Sequence, residues 1–271
     1  MRGPDGTAGA AMTGPRPPAI VRITPTSYAD FRECPRRFLL STILRIPASD
    51  SGPGSPDQGL LVHAVLEAVH TDGSCHDARH VDTILARAGA DTPQMRGFIA
   101  RHSARCPDQA DRSAHEVDRV RFHRGPAPMF LASARIDAVW VHDGILDARD
   151  YKTGAVHTER VADDPRARVQ AWVLARDARR TGLRLRLRYE HLQPEIAEDP
   201  EPFAPDDDDL DAITDELRAA VARMWHDDAW TGVAAADVCG RCRYRSVCRD
   251  SVTPGEPTWA ALAAPADTGD G

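Results

Sequence analysis

Residues 134–154, which read ARIDAVWVHDGILDARDYKTG, constrain the fold more than any other part of this 271-residue chain. They contain two runs in which apolar and polar residues alternate, and this alternation is the pattern of half-buried β-strands. A His-Asp-Gly sequence at 142–144 separates the two runs and is typical of a tight hairpin turn. We therefore predict an antiparallel β-hairpin in this stretch.

The predicted hairpin carries acidic residues together with Lys152, the only lysine among 34 Lys and Arg residues. Asp150 stands two positions earlier, and strand side chains repeat every two residues, so both side chains point to one face. Asp137 lies on the preceding strand and can approach them. Lysine is a compact point charge, whereas arginine is a planar fork. A lysine kept in an arginine-rich chain thus indicates a chemical role, although solvent-facing hairpin charges remain the alternative.

The RID and DYK sequences of this hairpin resemble the PD-(D/E)XK nuclease superfamily and, more narrowly, its RecB-type exonuclease branch. The resemblance implies an α/β fold with a restriction-endonuclease-like core, in which helices flank a mixed β-sheet. It also implies metal-dependent hydrolysis of DNA phosphodiester bonds. Asp137, Asp150 and the carbonyl group of Tyr151 would bind Mg²⁺ or Mn²⁺, while Lys152 would act at the reacting phosphate.

Two predicted helices supply further matches to the family. His63 lies in GLLVHAVLE on a helix predicted over 59–70. A lone histidine on an apolar helix is more often structural, but the resemblance makes His63 a metal ligand. Gln170 lies on a helix predicted over 166–180 and matches the family's Q-x-x-x-Y motif halfway, because Leu174 replaces the tyrosine. The resemblance implies that Gln170 orients this helix or contacts the substrate backbone.

A cysteine cluster near the C-terminus forms a second, independent motif. Cys239, Cys242 and Cys248 follow a C-x2-C-x5-C pattern. Three cysteines in so short a segment indicate a metal site, and one ligand is missing from a four-cysteine set. Spacing alone leaves the metal open between zinc and iron.

The resemblance supplies the missing ligand and the expected cofactor. Cys34 stands in CPRRF and, taken alone, is most simply a small core residue. The iron–sulfur branch of the RecB-type nucleases, which includes AddB-type subunits and CRISPR-adaptation nucleases, combines such a Cys-Pro with the C-terminal pattern. It implies a [4Fe–4S] cluster on all four cysteines. We predict that Cys75 and Cys106 are ordinary cysteines, because their positions show no metal-ligand spacing.

The segment 166–188 contains eight arginines and one acidic residue, although the whole chain carries a net charge of −7. A local positive surface of this kind suits phosphate contacts, so we predict a DNA-binding face here. A solvated arginine face is the alternative. The residues assigned to DNA binding are Arg166, Arg168, Arg176 and Arg180.

We predict one nuclease domain over 23–251 between disordered tails at 1–22 and 252–271, which are rich in Gly, Pro, Ala and Thr. Ser27 is predicted to cap the first helix, and Asp208 or Asp209 the last long one. The strand predicted over 116–122 would begin at Glu116. Its carboxylate is either an extra acidic group near the site or, as we predict, part of a solvated strand end. No apolar run is long enough for a membrane span and the N-terminus lacks a signal-peptide core, so we expect a cytoplasmic protein.

Two other classes of function stay open at this stage. The chain can be a non-catalytic DNA-binding subunit of a helicase or integrase complex that keeps a structural metal cluster. It can also be a zinc-ribbon interaction protein, in which Lys152 has no role. If the chain is a nuclease, its expected partners are DNA and a helicase or another DNA-processing subunit.

Overall fold

The computed structural model describes residues 20–48, 56–107, 112–125, 127–154, 159–193, 195–196, 198–225 and 230–252. In chain order the elements are β1 (Val21–Ile23), α1 (Pro25–Glu33), α2 (Pro35–Phe38), a π-helical turn (Leu39–Ile43), α3 (Pro56–Asp72), α4 (Ala78–Ala88), α5 (Pro93–Ser103), β2 (Arg112–His123), β3 (Phe130–His142), β4 (Ile145–Lys152), a 3-10 turn (Val161–Asp163), α6 (Pro165–Thr181), β5 (Arg184–His191), α7 (Asp207–Arg223) and α8 (Ala236–Gly240).

The sheet is mixed, and β3 is its central strand. β2 pairs antiparallel with β3 along almost its whole length and so occupies one edge of it. β1 pairs parallel with β3 at 130–132, and β4 pairs antiparallel with β3 at 138–142. Since a strand has only two edges, β1 and β4 share the second edge at opposite ends. They leave residues 133–137 between them, and this fork opens the sheet.

Helices cover the sheet in two separate hydrophobic clusters. The larger cluster joins α1, α6 and α7 to the strands, with Trp172 of α6 1% exposed. The smaller joins α3, α4 and α5 to the sheet around Trp140, which is 2% exposed. This arrangement confirms the predicted α/β fold with a mixed sheet flanked by helices. Within the described residues, no helix is both long and apolar enough to cross a lipid bilayer.

Helix α6 links β4 to β5, which run parallel. It packs against α1, α7 and the sheet, and nine of its residues are buried. A helix that is buried on most of its sides belongs to the interior. Gly182 ends it in the left-handed conformation, with φ of 71°. The helix therefore forms a fixed support for the polar residues that it carries.

The predicted hairpin is confirmed. β3 and β4 pair antiparallel around Asp143 and Gly144, whose φ values are 51° and 71°. Positive φ at both central residues is the requirement of the turn that matches the twist of two adjacent strands. Aspartate and glycine tolerate this conformation, which explains why a two-residue connection closes this hairpin.

The predicted N-terminal tail extends too far into the chain. Val21 and Arg22 do not belong to a tail, because they pair with β3. Residues 1–19 and 253–271 of the predicted tails lie outside the described residues.

The predicted caps lie inside their helices. Ser27 is the third residue of α1, and Asp208 and Asp209 are the second and third residues of α7. Thr24 caps α1 and Ser27 reciprocates the bond, while Asp206 caps α7 and Asp209 reciprocates. The cap has to be extended, so that its side chain can reach the backbone N–H three residues later.

Candidate active site

A cleft of about 580 Å³ lies at the fork in the sheet. It is bordered by the start of α1, by the unpaired edge of β3, by the end of β4 and by α6. The predicted site residues on its wall are Asp137, Asp150, Lys152, Arg166 and Gln170. The structure therefore brings together four residues predicted to act in the reaction and Arg166, which was predicted to bind DNA.

Asp137 lies where β3 and β4 separate. The ladder between these strands ends at the pair Ala138 and Arg149, so Asp137 and Asp150 occupy the next opposed positions. The backbone N–H of Tyr151 donates to Oδ2 of Asp137 at 2.7 Å. The Asp137 carboxylate thus accepts a backbone hydrogen bond at the point where the β3–β4 hydrogen-bond ladder ends. This keeps the strands apart and directs both carboxyl groups to the cleft.

Asp150 is held by two donors. Nζ of Lys152 lies 2.8 Å from its Oδ2, and Nε2 of Gln170 donates to the same oxygen at 3.2 Å. Burial by itself raises the pKa of Asp150, but the charge and hydrogen bond of Lys152 outweigh it and hold the pKa below its usual range. Nζ of Lys152 also lies 4.2 Å from the centroid of the Tyr189 ring. Asp150 therefore stays ionised.

Asp137 has the opposite electrostatic character. Burial, and then the negative charge of Asp150, raise the pKa of Asp137 to about 6. Nδ1 of His63 lies 3.3 Å from Oδ1 of Asp137. Burial lowers the pKa of His63, but its hydrogen bond to Asp137 and the nearby carboxylates outweigh this and raise it. The carboxyl groups of Asp137 and Asp150 cannot easily be ionised together. A bound cation would stabilise the form in which both are ionised.

Glu116 belongs to this site, although we predicted a solvated strand end. Its side chain is only 10% exposed. One of its carboxylate oxygens, a ring nitrogen of His63 and a carboxylate oxygen of Asp137 all lie within 4.8 Å of one another. The ladder between β2 and β3 skips the pair Glu116 and Asp137, and φ of Glu116 is 50°. This conformation is unfavourable for glutamate and occurs preferentially at functional sites. The strand register, which sequence alone did not supply, is the signal that identifies Glu116.

The donor set fits a hard divalent cation. One imidazole nitrogen and the oxygens of two carboxylates converge, and a third carboxylate, Asp150, lies beside them. Oxygen ligands suit Mg²⁺, and a mixed oxygen and imidazole set suits Mn²⁺. Tyr151 follows Asp150 directly, so its carbonyl is close in the chain to the group and stays a predicted ligand.

The four arginines predicted to bind DNA lie in different surroundings. Arg166 lines the main cleft and a neighbouring cleft of about 380 Å³. Arg168 forms two hydrogen bonds of 3.0 Å with Glu216. Arg176 and Arg180 are exposed farther along α6. The structure therefore brings Arg166 to the candidate site and leaves the other three outside the cleft.

The predicted cluster cysteines meet at one place. The cavity between α2 and the C-terminal segment is lined by Cys34, Cys239, Cys242 and Cys248. Two ion pairs hold this segment against the N-terminal helices: Arg241 with Glu33 at 2.6 Å, and Arg36 with Asp250 at 3.0 Å. Segments from the two ends of the chain are therefore joined here. Soft thiol ligands around one cavity fit an iron–sulfur cluster or zinc.

A known protein family matches most of this chain. The family model of the PD-(D/E)XK nuclease superfamily matches residues 22–249. The solved structure of SSO0001 is similar at 13% identity and a TM-score of 0.43, covering 86% of this chain and 87% of that one. A protein from Eubacterium rectale named as a candidate exonuclease is similar at 14% identity and a TM-score of 0.48, covering 92% and 94%. None of the curated proteins matches this chain significantly.

Proposed function

The chain belongs to the PD-(D/E)XK nuclease superfamily, and we propose that it is a RecB-type, Mg²⁺- or Mn²⁺-dependent deoxyribonuclease that acts as an exonuclease. One observation carries this proposal. Asp137, Asp150, Lys152 and Gln170 border a single cleft at the fork of the sheet, with His63 beside them. Lys152 is bonded to Asp150 and keeps it ionised, and the ionised carboxylate is the form that binds a metal ion.

The ion would be held by His63, Asp137 and Asp150, with Glu116 and the carbonyl of Tyr151 as further ligands. When bound, Mg²⁺ or Mn²⁺ would lower the pKa of a water molecule and offset negative charge on the phosphate. Lys152 would direct its ammonium group to the oxygen atoms on which charge develops.

Gln170 acts as a positioning residue in this proposal. It is 5% exposed and donates to Asp150 from the buried helix α6, so it limits the freedom of that carboxylate. Leu174 stands where the family motif has a tyrosine, and it is 2% exposed in the core. Gln170 therefore makes its hydrogen bond to Asp150 with no tyrosine at that position.

Nuclease activity is tested with anaerobically purified protein and end-labelled single- and double-stranded DNA, over a titration of Mg²⁺ and Mn²⁺. Asp150→Asn should abolish cleavage, whereas the matched change Asp143→Asn in the exposed hairpin turn should not. Release of mononucleotides with no cutting of circular DNA would identify an exonuclease. Binding of DNA without cleavage at any cation concentration would instead support a non-catalytic subunit.

We propose that the arginines of α6 contact the phosphates of DNA. Arg166 is the best supported of them, because it borders both clefts, while Arg168, Arg176 and Arg180 would extend the contact along the helix. Replacing all four with glutamine should weaken binding and flatten its salt dependence, since each phosphate contact releases counterions. Arg166→Gln alone should have the largest single effect. An unchanged salt slope would mean that the arginines face water.

We propose that Cys34, Cys239, Cys242 and Cys248 hold a [4Fe–4S] cluster. All four thiols line one cavity, and thiol ligands suit either zinc or an iron–sulfur cluster. The resemblance of the four-cysteine pattern to the iron–sulfur branch of the RecB-type nucleases is what favours the cluster. Its thiolates suit a reducing compartment such as the cytoplasm.

The cluster would join two parts of the chain that are far apart in sequence. Its expected role is therefore to hold the N-terminal and C-terminal segments together and so stabilise the fold. We further propose that the nuclease acts in DNA repair or recombination, and that a helicase or another DNA-processing subunit presents its substrate. Stimulation of duplex digestion by an added helicase would support this partnership.

A further inference from the structure

Two histidines and two cysteines, none of which lines the candidate active-site cleft, meet at the ends of α3 and α5. His70 is in the last turn of α3 and Cys75 follows that helix, while His102 is in the last turn of α5 and Cys106 follows it. Their four potential ligand atoms all lie within 4.8 Å of one another. Nε2 of His70 is 2.8 Å from Nε2 of His102 and 3.9 Å from Sγ of Cys106.

This geometry suits a tetrahedral zinc ion. Zn–N distances of about 2.0 Å and Zn–S distances of about 2.3 Å place the ligand atoms of a tetrahedron roughly 3.3–3.8 Å apart. The observed separations of 2.8 Å and 3.9 Å lie just below and just above this range. The sequence pattern is His-x4-Cys after one helix and His-x3-Cys after another, so each local pair needs the other helix to complete the set.

The surroundings orient one ligand as zinc sites do. His102 is fully buried, and its Nδ1 lies 2.7 Å from Oε1 of Glu190. Arg149 holds the other oxygen of Glu190 at 3.0 Å. A carboxylate on one ring nitrogen fixes the tautomer and leaves the second nitrogen free to bind metal. The Nε2 atom of His102 is the one that faces His70.

We propose that His70, Cys75, His102 and Cys106 bind one structural zinc ion. Two thiolates and two neutral imidazoles give a neutral complex, and binding releases the two thiol protons. The ion would tie α3 to α5 and so stabilise the helical layer that carries His63. The ring centroid of Tyr151 lies 5.3 Å from that of His102 and 5.9 Å from that of His63, which places this layer directly behind the active site. This inference does not rest on the proposed nuclease function.

The first test uses the intact wild-type protein, purified anaerobically and passed through a mild chelator. We expect about one zinc per chain, with X-ray absorption at the zinc edge showing two sulfur neighbours at about 2.3 Å and two nitrogen neighbours at about 2.0 Å. Zinc with four sulfur neighbours would place it at the C-terminal cysteines. Zinc with only nitrogen and oxygen neighbours would place it in the cleft. Either result, or the absence of zinc, would overturn the proposal.

The second test uses matched variants of the full chain. Cys75→Ser should reduce zinc content at least tenfold and leave iron content unchanged, whereas Cys242→Ser should do the reverse. His76→Gln, next to Cys75 in an exposed position, is the control and should keep the zinc.

If Cys75→Ser does not fold, the wild-type protein still decides the question by thiol labelling. Cys75 and Cys106 should resist alkylation until a strong zinc chelator is added. Rapid labelling without chelator, or a Cys75–Cys106 disulfide found by mass spectrometry, would refute the site.

Discussion

The replacement of Lys152 by alanine or arginine tests the proposed chemistry most directly. The side chain of Lys152 is 27% accessible but that of Asp150 only 16%, so removing the ammonium group leaves a largely buried carboxylate without its charged partner. We expect this to lower the free energy of unfolding by roughly 1–3 kcal/mol. The cleavage rate should fall by roughly 10²–10⁴, the range for loss of one positioned charged group. At about 1.36 kcal/mol per decade, this is a barrier increase of roughly 3–5 kcal/mol.

Two effects contribute to the loss in Lys152→Ala, and pH separates them. Without the ammonium group, burial raises the pKa of Asp150, because Lys152 is the main opponent of that effect. The acidic limb of the pH–rate profile should therefore move to higher pH, and alkaline conditions should recover part of the activity. The remaining loss at high pH measures the direct action of Lys152 on the phosphate.

Lys152→Arg tests whether the position of the positive charge matters, because the charge itself is kept. Arginine keeps the positive charge, so Asp150 should stay ionised and the pH profile should not shift. The planar guanidinium is larger and less adaptable than an ammonium group, and Nζ of Lys152 is confined between Asp150 and the ring of Tyr189. We expect a rate defect close to that of alanine, measured in single-turnover cleavage with DNA binding and iron content as controls. Cleavage by Lys152→Arg at the wild-type rate would refute the assignment of Lys152 to the reacting phosphate.

Three further predictions concern the metals and the site carboxylates. Cys34→Ser should lose iron as completely as Cys242→Ser, measured by iron and sulfide analysis; zinc at these cysteines without iron would disprove the cluster. Glu116→Gln should weaken Mn²⁺ affinity, measured by titration calorimetry, and unchanged affinity would exclude it as a ligand. Because the pKa of Asp137 is raised to about 6, this carboxyl stabilises the metal-free fold most at low pH and loses that effect as pH rises through about 6. Added Mn²⁺ should therefore raise Tm more at pH 7 than at pH 5, and an equal rise at both would contradict the raised pKa of Asp137.

Much of the fold was predictable because the relevant signals are local. The alternation on either side of Asp143-Gly144 specifies the hairpin, and the two-residue spacing of Asp150 and Lys152 places both side chains on one face. The apolar positions of α6 likewise predicted a helix around Gln170 with a partial apolar face, whereas its burial on most sides came from the structure. These features follow from strand and helix periodicity, which the chain carries in its own spacing.

Other features depended on which elements pack together, and no spacing along the chain records that. The approach of Glu116 to Asp137 requires the register of β2 on β3, together with a left-handed residue that interrupts the ladder. Cys75 and Cys106 meet because α3 and α5 end side by side, and no motif in the sequence links these two cysteines.

The sequence by itself determined the chemical groups at the site and the local elements that carry them, since both follow from residue type and short-range periodicity. Only the tertiary structure decided the cleft. It arises because β1 and β4 share one edge of β3 and leave residues 133–137 without a strand partner on that edge, while β2 occupies the other edge. That division results from the packing of distant strands and helices around a common core, which buries apolar area regardless of separation along the chain.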